Sequence, residues 1–223
     1  AAEVSAFEHR YGYAPLAVPV AVDALVVLVH QDNPLRGLNL QQLDRIFSAT
    51  LRCGESQPLT RWGELGLTGD WQQRALQRFG RNSASGTYGY FKLRALCGGG
   101  FMPRVNELPG SASVVQAVAG SLNSIGYASI GFRASGVRLL PLAETGQNYV
   151  TPNDANVRNG SYPLSRYLYI YINKAPNQPL EPLTAAFLDR VLSDTGQNLV
   201  NHDGYLPLPP QTLQKTRLAL GLQ

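Results

Sequence analysis

Apolar and polar positions along the chain change period several times, and each change marks an element. Val18 to Val29 (VPVAVDALVVLV) is almost continuously apolar over strand length, crossed by Pro19 and Asp23. Such a run predicts a strand buried on both faces, of the parallel type. Asp32-Asn33-Pro34 is a turn signal. Asn39 is a good N-cap for a helix over Leu40 to Ser48, where Leu40, Leu43, Ile46 and Phe47 share one face. Thr50 to Thr60 reads as loop, Trp62 to Trp71 is broken by glycines, and Ala75 to Phe79 is a short strand entering Gly80. From Gly86 the pattern turns helical, with Tyr90, Phe91, Leu93 and Leu96 apolar and Gly98 as the stop. Ser111 caps a further helix through Ala119, with Val114, Val115 and Val118 facing inward. Ser124 to Phe132 and Val137 to Leu142 read as short strands. Tyr167 to Asn173 (YLYIYIN) alternates Tyr with Leu or Ile, a clear strand signature. Thr184 caps a helix to Leu192, Thr195 opens another, and Gln211 to Leu220 forms a last helix after Pro209-Pro210.

Strands alternating with helices place the chain in the α/β class. The two strongest strand signals bracket the middle of the sequence. That arrangement predicts two lobes joined by two crossing strands, with residues 1–23 and 167–223 in a first lobe and 24–166 forming the second.

Composition narrows the options. The chain has 223 residues, 44% of them hydrophobic and 15% charged. The hydrophobic share excludes a disordered chain, and no apolar run approaches the length of a membrane span. Nineteen Lys and Arg against 15 Asp and Glu give a net charge of +4. Without a run of basic residues, this balance suits a small anionic ligand better than nucleic acid. Histidines 9, 30 and 202 are scattered, and no metal-ligand spacing joins them to Cys53 or Cys97, so neither a metal nor a cofactor is expected. The two cysteines are open to two readings, one disulfide or two free thiols. Their positions in Gly-rich loops suit a disulfide in an exported protein. Ala1-Ala2-Glu3 reads either as a mature start after signal-peptide cleavage or as an arbitrary beginning.

The segment that carries chemistry is Arg81-Asn82-Ser83-Ala84-Ser85-Gly86-Thr87. A helix N-terminus presents unpaired N–H groups and a positive dipole end, and both attract anions. Gly86 allows close approach to the backbone, Ser85 and Thr87 add hydroxyl donors, and Arg81 adds a forked cation suited to a tetrahedral oxyanion. From spacing alone, a plain helix cap remains an equal reading. The segment is neither a Walker A loop nor a G-x-S-x-G elbow. No acid or histidine nearby in sequence would activate Ser83 or Ser85, which argues against nucleophilic catalysis.

Arg81-x-x-x-Ser85-Gly86-Thr87 is similar to the oxyanion signature of periplasmic phosphate-binding proteins, the substrate-binding components of high-affinity phosphate ABC transporters. Phe7 to Pro34, Leu40 to Phe47, Tyr88 to Lys92, Pro109 to Val118, Ser124 to Phe132, Pro163 to Lys174 and Gly204 to Pro209 also resemble that family, so the likeness extends over essentially the whole chain. The resemblance implies a type II periplasmic-binding-protein-like fold whose two lobes close on phosphate and then dock transiently on a membrane permease. It implies phosphate contacts at Arg81, Ser85, Gly86 and Thr87, a periplasmic or secreted location, no enzymatic step, and a Cys53–Cys97 disulfide. The sequence departs from the family at its start. There the family has further βα units with a Gly/Ser/Thr-rich loop, a second Ser, and an Asp that accepts a hydrogen bond from protonated phosphate. Ala1 to Pro15 holds no such loop, which leaves two expectations, a shortened N-terminal part or a naturally short protein. A rival reading is an extracellular or surface protein of similar fold that acts in interaction or sensing without transport; a weaker rival is a phosphate-ester hydrolase.

Other polar and aromatic positions have plainer expectations. Asp23 is read as a hinge residue bonded to neighbouring backbone, or else as a group on the ligand side. Tyr88, Tyr90 and Phe91 are expected in packing. Tyr167, Tyr169 and Tyr171 share one strand face and are read as structural, with a partner patch as the alternative. Arg133 and Arg138 are expected in solvent, with permease docking open. Asn159-Gly160-Ser161 is foremost a turn signal.

Overall fold

The computed structural model describes residues 2–132 and 134–222; Arg133 lies outside the described residues. The chain divides into two compact units, Ala24–Ser165 and Ala1–Asp23 with Arg166–Gln223. In chain order the elements begin with α1 (Ala2–Tyr11), β1 (Leu16–His30), β2 (Leu38–Asn39) and α2 (Leu40–Phe47). They continue with β3 (Gln77–Arg81), α3 (Gly86–Ala95), β4 (Val105–Leu108), α4 (Ser111–Ala119) and β5 (Ser124–Ser129). Next come β6 (Val137–Leu139), β7 (Leu142–Ala143), α5 (Asp154–Arg158) and β8 (Ser165–Ile172), and the chain closes with α6 (Pro182–Val191), α7 (Asp194–His202) and α8 (Pro210–Leu220). The predicted α/β class is the observed one.

The unit Ala24–Ser165 is built on a mixed sheet in the order β4-β3-β5-β1-β6. β3 pairs parallel with both β4 and β5, Arg81 lying opposite Leu108 and Phe79 opposite Gly126. β1 pairs antiparallel with β5 and β6, not in the parallel manner its apolar run suggested. A continuous apolar run reports burial on both faces, and every residue from Ala24 to Val29 is buried; it does not report strand direction. α4 packs on β3 and β5 through Val114, Val115 and Val118.

Local chemistry fixes the ends of the elements. Asn39 closes a capping box with Gln42, its side chain accepting from the Gln42 N–H at 2.9 Å while Gln42 accepts from the Asn39 N–H at 2.9 Å. The buried Arg78 guanidinium donates to the carbonyls of Ile46, Leu59 and Leu76, joining the end of α2 to the following loop. Cys53 and Cys97 form a disulfide that ties this loop to the end of α3. Trp62 is fully buried, its indole N–H donating to the Asn123 carbonyl at 3.1 Å. Arg138, expected in solvent, donates to the carbonyls of Asn33 and Leu35. Gly160 takes a left-handed φ of 76° in the turn signalled by Asn159-Gly160.

In the other unit, β8 pairs with β1. The buried Asp23 carboxylate accepts from Arg166 Nε at 3.0 Å and Nη2 at 2.7 Å, a side-chain partner that the sequence did not reveal. Gln197 is buried with its amide satisfied: Nε2 donates to the carbonyls of Val20 and Val191, and Oε1 accepts from the Leu208 N–H. Glu181 and Ser193, rather than Thr184 and Thr195, cap α6 and α7. Neither α1 nor α5 was expected from the sequence pattern.

Candidate functional site

β3, β4 and β5 run parallel, so their carboxyl ends lie on one edge of the sheet. The chain leaves β3 through α3 toward β4 and returns from β4 through α4 to β5 on the other side of β3. Ligands of open α/β sheets bind outside the carboxyl ends of strands, at the point where the winding reverses. Arg81 ends β3 and Ser129 ends β5, on either side of that point.

The expected site residues come together here. Ser85 is the N-cap of α3 in extended backbone, and its Oγ accepts from the Thr87 N–H at 3.1 Å. That bond occupies the Thr87 amide and leaves the Ser85 hydroxyl hydrogen to donate elsewhere. Gly86 is the first residue of α3, and a Cβ built on it would meet nothing within 4 Å. The space at its Cβ position is therefore open. Thr87 is buried. The guanidinium of Arg81 donates from Nη1 to Ser111 Oγ at 3.2 Å and from Nη2 to the Pro109 carbonyl at 3.0 Å. Its Nε is buried and has no hydrogen-bond partner among the described residues, a cationic N–H that calls for an acceptor.

The floor beneath α3 is aromatic. Phe91 stacks on Tyr127 with ring centroids 3.9 Å apart and meets Phe47 edge-on at 5.3 Å. Tyr88 lies against Phe101 at 4.4 Å, and Tyr90 donates to the Ser165 carbonyl at 2.6 Å. A Cβ on Gly80 would come within 2.8 Å of the Tyr127 ring, so glycine is required where the ring passes under β3. Burial pushes the Tyr127 phenol above its usual range and keeps it neutral. The Tyr127 ring thus lies against both Phe91 of α3 and Gly80 of β3.

Ser111 and Pro109 were not singled out as site residues by sequence reasoning. The signal was present: Pro109-Gly110-Ser111 repeats the strand-end, glycine and serine grammar of the first motif, and Gly110 is the N-cap of α4. Among the described residues no group of His, Cys, Asp and Glu is placed to hold a metal ion, and no helix is long and apolar enough to cross a membrane.

The sequence matches the PBP superfamily domain over residues 3–195. It is 59% identical over 221 residues to phosphate-binding protein PstS of Pseudomonas aeruginosa, covering 99% of this chain and 68% of that protein. The chain belongs to the PstS family of phosphate-binding proteins. Among solved structures, a possible phosphate binding protein from Planctomyces limnophilus superposes with a TM-score of 0.76 at 25% identity, covering 97% of this chain and 75% of that one. A candidate phosphate ABC transporter substrate-binding protein with bound phosphate, from Clostridium perfringens, superposes with a TM-score of 0.68 at 25% identity over 91% of this chain and 75% of that one.

Proposed function

We propose that the protein binds inorganic phosphate at Arg81, Ser85, Gly86 and Thr87 and delivers it, in the periplasm, to the permease of an ABC-type importer. The observation that carries this reading is the junction of β3 and α3. There the Arg81 guanidinium with its unpartnered Nε, the Ser85 hydroxyl that caps α3 and Gly86, with open space at its Cβ position, are gathered within one short segment at the carboxyl end of β3. Three features suit a tetrahedral oxyanion: the α3 dipole, charge-assisted bonds from Arg81, and a neutral hydroxyl donor. The Thr87 amide acts indirectly, by orienting Ser85 Oγ. Family membership and the phosphate-bound relative support phosphate as the anion. The unit Ala24–Ser165 serves as the lobe that carries the anion site, and Ala1–Asp23 with Arg166–Gln223 contributes to the other lobe.

Calorimetric titration with inorganic phosphate tests the reading. Wild-type protein is expected to bind, and Arg81→Ala to weaken binding by about tenfold or more through loss of charge-assisted bonds. Absence of phosphate binding by the wild-type protein would contradict it.

A further inference from the structure

Arg81 sits on the tip of a strand, and a long flexible side chain there gains most for a ligand when its fork is oriented beforehand. What orients it comes from the next strand–helix junction. Ser111, the first residue of α4, is 3% exposed. Its Oγ accepts from Arg81 Nη1 at 3.2 Å and from the backbone N–H of Ser129 at 3.3 Å. One hydroxyl oxygen therefore links the end of β3, the end of β5 and the head of α4. The Pro109 carbonyl takes the second Nη at 3.0 Å. Both partners are neutral, and Arg81 has no ion-pair partner among the described residues. The guanidinium is thus held in place while its charge stays available. A carboxylate in the position of Ser111 would hold it equally well but would neutralise it.

The geometry points to Ser111 as a positioning residue for the anion site: it holds the Arg81 guanidinium in its binding orientation through one neutral hydrogen bond. This rests on Arg81 being a phosphate contact.

The test is a double-mutant cycle on the full chain, read by phosphate calorimetry on wild type, Ser111→Ala, Arg81→Ala and the double variant, with thermal melts of each. Ser111→Ala is expected to weaken phosphate binding roughly tenfold when Arg81 is present and to have no further effect once Arg81 is alanine. Equal losses in both backgrounds would mark Ser111 as merely structural and overturn the inference, as would unchanged affinity in Ser111→Ala alone. If Arg81→Ala binds as tightly as wild type, the reading of the site itself fails and the inference with it. Nitrogen-15 spectra of the ligand-free protein give a second readout that does not depend on binding. The Arg81 side-chain N–H signals are expected to be sharp in wild type, broadened in Ser111→Ala and sharp again in Ser111→Thr. Identical signals in wild type and Ser111→Ala would overturn the proposal.

Discussion

The two units spend their apolar residues differently. In Ala24–Ser165 every residue of β5 is buried, the β1 segment from Ala24 to Val29 is buried, and Trp62, Phe47, Phe91 and Tyr127 are closed off from water. In Ala1–Asp23 with Arg166–Gln223, β8 alternates: Tyr167, Tyr169 and Tyr171 are exposed while the residues between them are half-buried. Leu183, Phe187, Leu199 and Leu218 on its helices also lie in solvent. The proposed anion site belongs to Ala24–Ser165. Donors that must be aimed before the ligand arrives are best mounted on packed elements, and α3 rests on the aromatic stack while Arg81 ends the central parallel strand.

Phe91→Ala breaks this contrast most strongly. It would open a cavity between α3 and Tyr127, costing about 3–5 kcal/mol, and would loosen the helix that carries Ser85 and Gly86. Chemical denaturation would measure the loss, and a cost below that of an exposed site would deny the stack its role. In the other unit, Tyr169→Ser removes an aromatic ring of similar size whose neighbours are Tyr167 and Tyr171 on the same face. The expected cost is under about 1 kcal/mol, the range of strand propensity and same-face pairing. A larger loss would mean that the tyrosine row does more for stability than its exposure implies.

The fold was legible wherever one period dominated a segment. The apolar run of β1, the Tyr alternation of β8 and the capped face of α2 each follow from spacing and burial alone. α1 was missed because AEVSAFEHRY has a weak apolar stripe, and α5 because it is little more than one turn. At α6 and α7 the cap moved to a neighbouring side chain that also reaches the first-turn amides, which is the usual limit of reading helix boundaries from sequence. Within the proposed site, the grouping of Arg81, Ser85 and Gly86 at a strand end and helix cap was legible because the motif is local. The tie between Arg81 and Ser111 was not, because it depends on the register that sets Arg81 opposite Leu108 in parallel strands. Arg138 and Arg166 show the same limit, since a charged residue finds its carbonyl or carboxylate partner only after the chain has folded.

The central claim is that an anion sits against the open backbone at the head of α3, and Gly86→Ala tests it most directly. Among the described residues the added methyl meets no atom within 4 Å beyond its chain neighbours and its own helix backbone, and alanine is the better helix former by about 1 kcal/mol in a helix interior. The melting temperature is therefore expected to hold or rise slightly. Phosphate affinity, measured by calorimetry on the same samples, is expected to fall, because the methyl occupies the space the oxyanion needs. Unchanged phosphate affinity in a folded Gly86→Ala protein would contradict the account.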